Sequence, residues 1–363
     1  MEYEVDVKES MIKKKWPGVL ELLLLDHTTN KNIFWATDLY EKRYKSRFYA
    51  FRSSITIDLI TEGEDRVIKP RVTKEKQDRQ YRIKDKAEVF TPAWICNKQN
   101  NLIDNDWFGY DGVFNNEKDD NTWTATKKPV VFPDNKTWVD YVRELRLEVA
   151  CGEAPYLVSR YDITTGKKIK LQNRIGLLDR KIRIVNENAA SDSEWLAMVK
   201  WAFKSTYGYE WQGDNLLLAR ENLLFTFIDY FEDRFGKEPN LDLLKEIAEI
   251  ISWNIWQMDG IRGVLPCTCC NSKYIDLFGE KTMDCCLGCK TGDIHSHNGK
   301  YCYIGDWNKM TSKGQTAGII VPLVLLVPQF PKIPKIPKTP NGGGRYAQQN
   351  CVCSAVPRAL VCD

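Results

Sequence analysis

The sequence predicts an α/β fold built on a parallel sheet, with a β-rich N-terminal flank and a zinc-ribbon-like appendage near the C-terminus. Three observations predict it: a strand that runs into a glycine turn at 148–152, two amphipathic helices between later strands, and paired cysteines between Cys267 and Cys289. The chain has 363 residues, which at about 150 residues per domain allows more than one domain. Hydrophobic residues make up 43% and charged residues 28%, so a fibrous fold and disorder of the whole chain are excluded.

The N-terminal part of the chain carries two apolar patterns that suggest strands. Residues 19–25 form an apolar run interrupted only by Glu21, and residues 54–60 alternate between polar and apolar side chains. A densely charged stretch follows at 64–86. We therefore expect a β-rich flank at 1–80, a ligand-binding core at 81–262, a zinc-ribbon-like module at 263–306 and a low-complexity, disordered tail at 307–363.

The middle of the chain is expected to contain a long loop and two helices. Residues 97–136 are rich in Asn, Asp and aromatic side chains without an apolar repeat, which indicates a loop or lid. Apolar residues then recur at helical spacing from Leu216 to Phe231, and Gly236 suits the end of that helix. A second helix begins after Asn240, a residue type that caps helix N-termini.

Charge and hydropathy limit the environment and the partners. The chain has 52 Lys and Arg against 49 Asp and Glu, a net charge of +3, which is too weak a bias to argue for nucleic acid from global charge. Residues 1–10 are acidic and lack a secretory signal pattern, and the apolar tract at 317–330 is too short and too proline-interrupted to span a membrane. We expect a cytoplasmic protein whose cysteines are reduced and available as metal ligands.

A strand followed by a small-residue turn is the first candidate binding element. Glu148 to Gly152 ends a strand in Ala-Cys-Gly, where the absence of a glycine side chain lets a ligand approach the backbone. In a doubly wound sheet this position borders the ligand crevice, and a carboxylate at a later strand end accepts hydrogen bonds from ribose hydroxyls. Glu210 and Asp259 end the next two strand candidates. Solvated acidic strand ends are the alternative interpretation.

These elements resemble the cofactor motifs of a known enzyme family. The sequence Glu148-x-Ala150-Cys151-Gly152, followed by Pro-Tyr-Leu at 155–157, is similar to the S-adenosylmethionine turn of amino-group DNA methyltransferases, especially the adenine-specific ones. The preceding Phe-Thr-Pro at 90–92 resembles the element that comes before this turn in the γ-type motif order. The resemblance covers roughly 32–307 and extends to modification subunits of restriction systems.

The resemblance implies a Rossmann-like class I methyltransferase sheet, S-adenosylmethionine as cofactor, and DNA as partner. Glu210 would hold the ribose and Asp259 would face the cofactor adenine. The remaining cofactor residues would lie at the methionine end of the ligand; they are Phe90, Thr91, Pro92, Glu148, Ala150 and Gly152. About 58 residues separate Gly152 from Glu210, so an insertion is expected at 160–204.

The family's catalytic tetrapeptide, Asn/Asp-Pro-Pro-Tyr/Phe, is absent because none of the 15 prolines is followed by another. No catalytic residue is therefore assigned. The leading expectation is a restriction–modification DNA methyltransferase that acts on the adenine exocyclic amino group, with a specificity or restriction subunit as a second partner. The alternative is a non-catalytic zinc-ribbon DNA-binding or assembly subunit with a vestigial cofactor fold. Methyl transfer to RNA or protein also remains open.

Two cysteine pairs predict a structural metal site. Cys267 and Cys270 form one C-x-x-C pair, and Cys286 and Cys289 form another after 15 intervening residues, a spacing typical of zinc ribbons. Four thiolates from two short turns would close a structural tetrahedral zinc site. Three further side chains could replace a thiolate or form a second site; they are His295, His297 and Cys302.

Overall fold

A three-stranded parallel sheet lies at the centre of the structure, a computed structural model. Its strands are β5 (Arg146–Glu148), β6 (Thr206–Glu210) and β7 (Ile255–Gln257), and their spatial order is their chain order. Glu148 pairs with Gly208, and Gly208 pairs in turn with Ile255. The protein is therefore a mixed α/β structure, as the sequence predicts, and its remaining sheets are small.

The structure describes residues 5, 8–62, 67–75, 79–80, 83, 91–269, 272–275, 281–284, 286–307 and 319–322. The labelled helices within these ranges are α1 (Glu9–Lys15), α2 (Val19–Leu24), α3 (Leu39–Tyr44), α4 (Ile57–Thr61), α5 (Ala93–Phe108), α6 (Trp138–Arg143), α7 (Leu177–Asn188), α8 (Asp192–Lys204), α9 (Gly213–Phe235), α10 (Leu241–Asn254) and α11 (Leu287–Thr291). The strands outside the central sheet form antiparallel pairs: β1 (Leu25–Asp26) with β2 (Lys31–Asn32), β3 (Asn115–Glu117) with β4 (Trp123–Ala125), β8 (Ser272–Ile275) with β9 (Lys281–Asp284), and β10 (Tyr303–Asp306) with β11 (Ile319–Pro322). None of the described helices has both the length and the hydrophobicity needed to cross a bilayer.

Helix pairs connect the parallel strands, because parallel neighbours cannot be joined by a tight turn. Helices α7 and α8 lie between β5 and β6, and these two helices account for most of the expected insertion at 160–204. Helices α9 and α10 lie between β6 and β7 and confirm the two predicted helices. Gly236 ends α9 in the left-handed conformation with φ 65°, and the Asn240 side chain caps α10 by accepting from Leu243 N at 2.9 Å.

The N-terminal flank is helical where strands were expected. Residues 19–24 form α2, which begins after Gly18 and buries Val19, Leu20, Leu23 and Leu24 on one helical face. Residues 57–61 form α4 rather than a strand. A short apolar run fits a buried helix as well as a buried strand, and packing decided this case. Buried residues from α1 and α2 share one hydrophobic core with α9, α10 and Ile255 of the sheet.

A buried arginine fixes this flank to the sheet. The guanidinium of Arg220 donates to the carbonyls of Leu23 at 2.6 Å and Leu25 at 2.9 Å, at the end of α2. It also donates to Ser252 at 3.0 Å and Ile255 at 2.7 Å, where α10 passes into β7. Burial lowers the pKa of Arg220 to about 10. A cation at two helix C-termini is favourable because it faces their partial negative charge.

The expected loop at 97–136 is instead helix α5 followed by the β3–β4 hairpin. The buried face of α5 is polar, formed by Asn97, Asn100, Asn101 and Asp104 at helical spacing. Arg180 of α7 donates to three of them: Asp104 Oδ2 at 2.6 Å, Asn97 Oδ1 at 2.9 Å and Asn101 Oδ1 at 2.7 Å. We call these five residues the α5 polar cluster. Because the buried face of α5 is polar, the sequence shows no apolar periodicity there, and the helix was not predicted.

Candidate functional site

The predicted glycine turn and the second strand end meet in the structure. Gly152 N donates to Glu210 Oε2 at 2.9 Å, and Gln212 N donates to Glu210 Oε1 at 3.1 Å. The backbone of the turn is tied to the same strand, since Cys151 N donates to Tyr209 O at 2.8 Å. The end of β6 therefore supports the turn that follows β5, although about 58 residues separate them in sequence.

The turn itself has a strained backbone. Ala150, Gly152 and Ala154 take φ values of 50°, 55° and 63°, in the left-handed region. Glycine accepts this conformation freely, whereas each alanine costs about 1–2 kcal/mol. Non-glycine residues held in this region often mark ligand sites, where surrounding contacts over-determine the backbone.

The side chain of Glu148 is hydrogen-bonded to the backbone that follows the glycine turn. Its carboxylate accepts from Leu157 N at 3.2 Å and Tyr156 N at 3.4 Å, so it bridges the start and the end of the turn. Burial raises the pKa of Glu148 well above its ordinary value, and the nearby charge of Glu210 adds to the rise. Burial and the same two carboxylates also raise the pKa of Cys151, which keeps it a neutral thiol rather than a nucleophile.

The Thr-Pro part of the predicted Phe-Thr-Pro element lies beside this turn; Phe90 lies outside the described residues. The Cys96 thiol is 3.7 Å from Thr91 O, and Pro92 precedes the first residue of α5. Burial raises the pKa of the Tyr156 hydroxyl to about 12, and a hydrogen bond from Thr91 partly opposes this rise. The element and the glycine turn are therefore neighbours in space, through Tyr156.

Asp259 occupies the third strand end and is turned towards its own loop. It follows β7, where Met258 N donates to Glu210 O at 3.0 Å, and it is only 3% exposed. Its carboxylate accepts from Arg262 Nη1 at 2.6 Å and from the backbone amide of Ile261 at 3.1 Å. We call Glu148, Gly152, Glu210 and Asp259 together the strand-end site.

Three cysteines and one histidine converge after this sheet. The ligand atoms of Cys269, Cys286, Cys289 and His297 all lie within 4.8 Å of one another, a group that could bind a metal such as zinc. Cys269 Sγ is 3.4 Å from Cys289 Sγ, and His297 Nδ1 is 3.5 Å from the sulfurs of both Cys269 and Cys286. Zinc–sulfur bonds of about 2.3 Å give tetrahedral edges of about 3.8 Å, so a modest expansion would admit the ion. We call these four residues the thiol–histidine cluster.

The cluster includes Cys286 and Cys289 of the predicted ligand set, while Cys269 and His297 take the other two positions. Cys267 is not a member: it is buried with φ 54°, and its carbonyl accepts from Arg52 Nη2 at 2.9 Å. Cys270 lies outside the described residues. Cys267, Cys269 and Cys270 lie within four positions, so sequence spacing alone does not show which of them is a ligand. The folded loop places the sulfur of Cys269 next to His297.

The other surplus candidates lie elsewhere. Cys302 is fully buried, and its thiol lies 3.3 Å from the carbonyl oxygen of Gln257. His295 is in a short helical turn at Ile294–Ser296 and is not a member of the cluster. The β8–β9 hairpin connects Cys269 to Cys286 along the chain, an arrangement compatible with the zinc-ribbon-like module predicted at 263–306.

Comparison with known proteins found no matching protein-family model, curated protein or solved structure. Function must therefore be inferred from the two sites themselves. Sequence reasoning selected Glu148, Gly152 and Glu210, which the fold brings together. It missed Arg262, which contacts the third carboxylate, because a basic residue three positions after an acid carries no distinctive signal on its own.

Proposed function

We propose that this chain is an S-adenosylmethionine-dependent DNA methyltransferase of a restriction–modification system, acting on the exocyclic amino group of adenine. The observation that carries the proposal is the hydrogen bond from Gly152 N to Glu210 Oε2 across two parallel strand ends. A turn with an accessible backbone beside a strand-end carboxylate is the arrangement that a nucleoside-bearing ligand uses in an open α/β sheet. The consecutive order of β5, β6 and β7 supports a Rossmann-like class I methyltransferase sheet.

The chemistry of the donor set fits the proposed cofactor. A carboxylate at this strand end is the acceptor that ribose hydroxyls of the proposed cofactor would use, and the backbone amides of Gly152 and Gln212 orient it. Ala150 and Gly152 would present a turn without large side chains to the methionine end of the cofactor. Asp259 at the third strand end is an acceptor suited to the amino group of an adenine ring.

The cofactor supplies an electrophilic methyl group, and the chain supplies binding and orientation. Buried Glu148 holds the amides of Tyr156 and Leu157 and so fixes the turn against which the ligand would lie. Positioning and exclusion of water are the contributions such a site can make to group transfer. The high pKa of Cys151 argues against a covalent thiol intermediate.

We also propose that the thiol–histidine cluster holds a structural zinc ion. Four protein ligands would complete a tetrahedral shell and leave no position for a reactive water, which separates this site from catalytic zinc centres. Because thiolate ligands bind zinc tightly and such sites rarely pre-exist in an unfolded chain, bound zinc would stabilise the C-terminal module.

One specific observation favours a second candidate, a non-catalytic DNA-binding or assembly subunit. The double-proline tetrapeptide is missing from all 363 residues, so no assigned side chain grips a target base. The outer strand β5 and the turn that follows it also leave apolar side chains open to contact, with Leu147 50% and Val149 62% exposed. Parallel strands are normally covered on both faces, which suits association with a specificity or restriction subunit.

The deciding experiment combines a calorimetric titration of S-adenosylmethionine with tritiated methyl transfer to mixed-sequence duplex DNA. Binding with transfer supports the enzyme, and binding without transfer supports the non-catalytic subunit. Gly152→Asp should weaken cofactor binding by at least about 100-fold, near 2.7 kcal/mol, because a carboxylate would enter the ligand's place beside Glu210. Gly236→Asp is the matched control, since Gly236 is also left-handed, at φ 65°, but has open space around it.

If the wild-type chain does not bind the cofactor, the proposed function is wrong. Equal affinities for Gly152→Asp and Gly236→Asp would show that the glycine turn is not the binding element. Recovery of tritium in RNA or protein but not in DNA would keep the cofactor site and change the substrate class.

The zinc proposal is tested by metal analysis of the purified chain and of two serine variants. Cys286→Ser should abolish stoichiometric zinc, because it removes one sulfur of the cluster. Cys267→Ser should retain zinc, because Cys267 lies outside the cluster although it belongs to the same short cysteine-rich stretch. Zinc loss in both variants would instead support the ligand set inferred from spacing.

A further inference from the structure

A short hairpin at 161–170 follows the glycine turn and carries three exposed lysines. Tyr161 and Lys168 form an antiparallel bridge at its base. Asp162 closes its tip, because the Asp162 carboxylate accepts from Thr164 N at 2.8 Å and from Thr165 N at 2.9 Å. The tip is therefore held by its own hydrogen bonds, and the lysines project from an ordered support: Lys167, Lys168 and Lys170.

The base of this hairpin is tied to both elements of the proposed cofactor site. Tyr161 Oη donates at 3.0 Å to Glu153 Oε2, and Glu153 directly follows Gly152 and is only 1% exposed. Ala93 N, at the start of α5, donates to Asp162 Oδ2 at 2.8 Å. The hairpin is thus fixed in position relative to the glycine turn.

A second segment, at 67–74, lies against the hairpin and is anchored on the same carboxylate. Arg71 N donates to the other oxygen of Glu153, Oε1, at 2.6 Å. Val72 packs against the hairpin tip, since a Cβ built on Gly166 would lie 2.9 Å from Val72 Cγ2. Lys69 and Arg71 therefore join the hairpin lysines beside the turn.

Positive charge is concentrated in these two segments. Together they contain six Lys or Arg residues and one acidic residue, Asp162, whereas the whole chain has 52 against 49. Lys74 is buried and pairs with Asp214 at 3.4 Å. The other five basic residues are half-buried or exposed, and we call them the basic surface: Lys69, Arg71, Lys167, Lys168 and Lys170. A local excess of this kind is the electrostatic footprint of a nucleic-acid contact, which global charge did not reveal.

The inner side of the hairpin has a different character. A cavity of about 560 Å³ lies there, and Arg160 and Arg174 in its wall both pair with Asp229 Oδ2, at 3.2 Å and 2.5 Å. Glu232 and Asp233 of α9 also line the cavity, which makes it a poor site for a polyanion. The hairpin lysines that border the cavity remain exposed, so a polyanion would contact the outer side of the hairpin.

We propose that the basic surface binds the phosphate backbone of duplex DNA and holds the duplex beside the strand-end site. The inference rests on the proposed function and deepens it, because it assigns the surface that contacts the substrate. Phosphate contacts fix the orientation of a protein on a duplex without reading its sequence. Because Glu153 anchors both segments next to Gly152, a duplex held by them has a fixed position relative to the cofactor turn.

The test measures the affinity of the full chain for a mixed-sequence duplex by fluorescence anisotropy, at salt concentrations from about 50 to about 200 mM. The double variant Lys167→Gln with Lys170→Gln should weaken binding at least about 10-fold at about 100 mM salt. The slope of log affinity against log salt should fall in magnitude by about 2, one phosphate contact for each lysine. Arginine at both positions should preserve the slope, because both charges are kept.

The matched control is Lys127→Gln with Lys128→Gln, which removes the same charge from another exposed lysine pair. That pair follows Thr126, whose carbonyl accepts from Arg183 of α7 at 2.7 Å, and it lies outside the two basic segments. The control should leave the salt slope nearly unchanged. Equal losses in the two double variants would show that net charge alone matters and would overturn the inference.

Cofactor binding separates this inference from the proposed function. Lys167→Gln with Lys170→Gln should keep the affinity for S-adenosylmethionine within about 2-fold, measured by calorimetry, and should raise KM for DNA more than it lowers kcat. Unchanged DNA affinity in this variant of a chain that methylates DNA would overturn the inference and leave the proposed function standing. Tighter lysine-dependent binding to duplex RNA would overturn the assignment to DNA. Lysine-dependent DNA binding by a wild-type chain that does not bind S-adenosylmethionine would contradict the proposed methyltransferase and support the basic surface.

Discussion

Two buried polar regions of this protein are built on opposite electrostatic principles. In the α5 polar cluster, the carboxylate of Asp104 is paired with Arg180 at 2.6 Å and also accepts from Tyr141 Oη at 2.9 Å. In the strand-end site, the hydrogen bonds to Glu148 come from two backbone amides, and the charge that acts on it is the like charge of Glu210. The first region pairs its carboxylate with a buried cation, whereas the charge that acts on Glu148 has the same sign as its own.

This difference separates a structural cluster from a candidate binding site. The ion pair and the side-chain amides satisfy most of one another's hydrogen-bonding groups, so folding explains most of the α5 polar cluster; among the described residues, Asn100 Oδ1 and Arg180 Nε have no partner. Two neighbouring buried carboxylates cost folding free energy, and such costs are typical of sites that are completed by a ligand. The raised pKa of Glu148 is therefore the electrostatic feature that favours a functional interpretation of the strand-end site.

The largest expected effect is on stability, from removal of the cation in the α5 polar cluster. Arg180→Met would leave Asp104 buried without its closest cation, and we expect a loss of about 3–5 kcal/mol in the free energy of unfolding. Urea denaturation measures this loss. The double variant Asp104→Asn with Arg180→Met should recover part of it, because the buried carboxylate, whose other cation Arg146 lies 3.7 Å away, is then neutralised. No recovery would show that packing, rather than charge balance, is what Arg180 contributes.

The second prediction concerns the buried carboxylate of Glu148 in the strand-end site. Since burial raises the folded-state pKa of Glu148, its stabilising contribution is complete below its unfolded value of 4.5 and is lost as pH rises through the raised folded value. Glu148→Gln removes this pH-dependent loss, although it keeps only one of the two oxygens that accept from the turn amides. The stability of the variant relative to wild type should therefore rise as pH increases from 5 to 8, compared by urea denaturation.

The same variant should bind S-adenosylmethionine more weakly, although its stability relative to wild type improves as pH rises. That opposite response is what distinguishes the strand-end site from the α5 polar cluster. A stability difference between wild type and Glu148→Gln that does not grow with pH would mean that Glu148 carries no unfavourable charge in the folded protein.

The smallest expected effect is at a surface ion pair. Arg234 and Asp192 are 3.0 Å apart with side chains 28% and 68% exposed, and solvent screens such pairs. Arg234→Gln should change the free energy of unfolding by no more than about 0.5 kcal/mol in the same urea experiment. A larger change would undermine its use as the reference for the two buried regions.

The sequence predicted best where the signal was local and apolar. The helices that became α9 and α10 followed from apolar spacing, a left-handed Gly236 and an Asn240 cap, all of which lie within a few residues of one another. It failed at α5, whose inward face is polar, and at α2 and α4, whose short apolar patterns suit a strand or a helix equally. In those three places, partners distant in sequence decided the conformation.

By itself, the sequence determined a strand–turn element at Glu148–Gly152, the later acidic strand ends, and a cysteine-rich module with a metal-binding composition. Only the tertiary structure decided that Glu210 supports Gly152, that Cys269 and His297 join Cys286 and Cys289, and that Arg262 pairs with Asp259. The physical reason is separation along the chain. Residue spacing constrains only side chains that are close in sequence, whereas hydrogen bonds between strand ends and the convergence of ligand atoms depend on how distant segments pack.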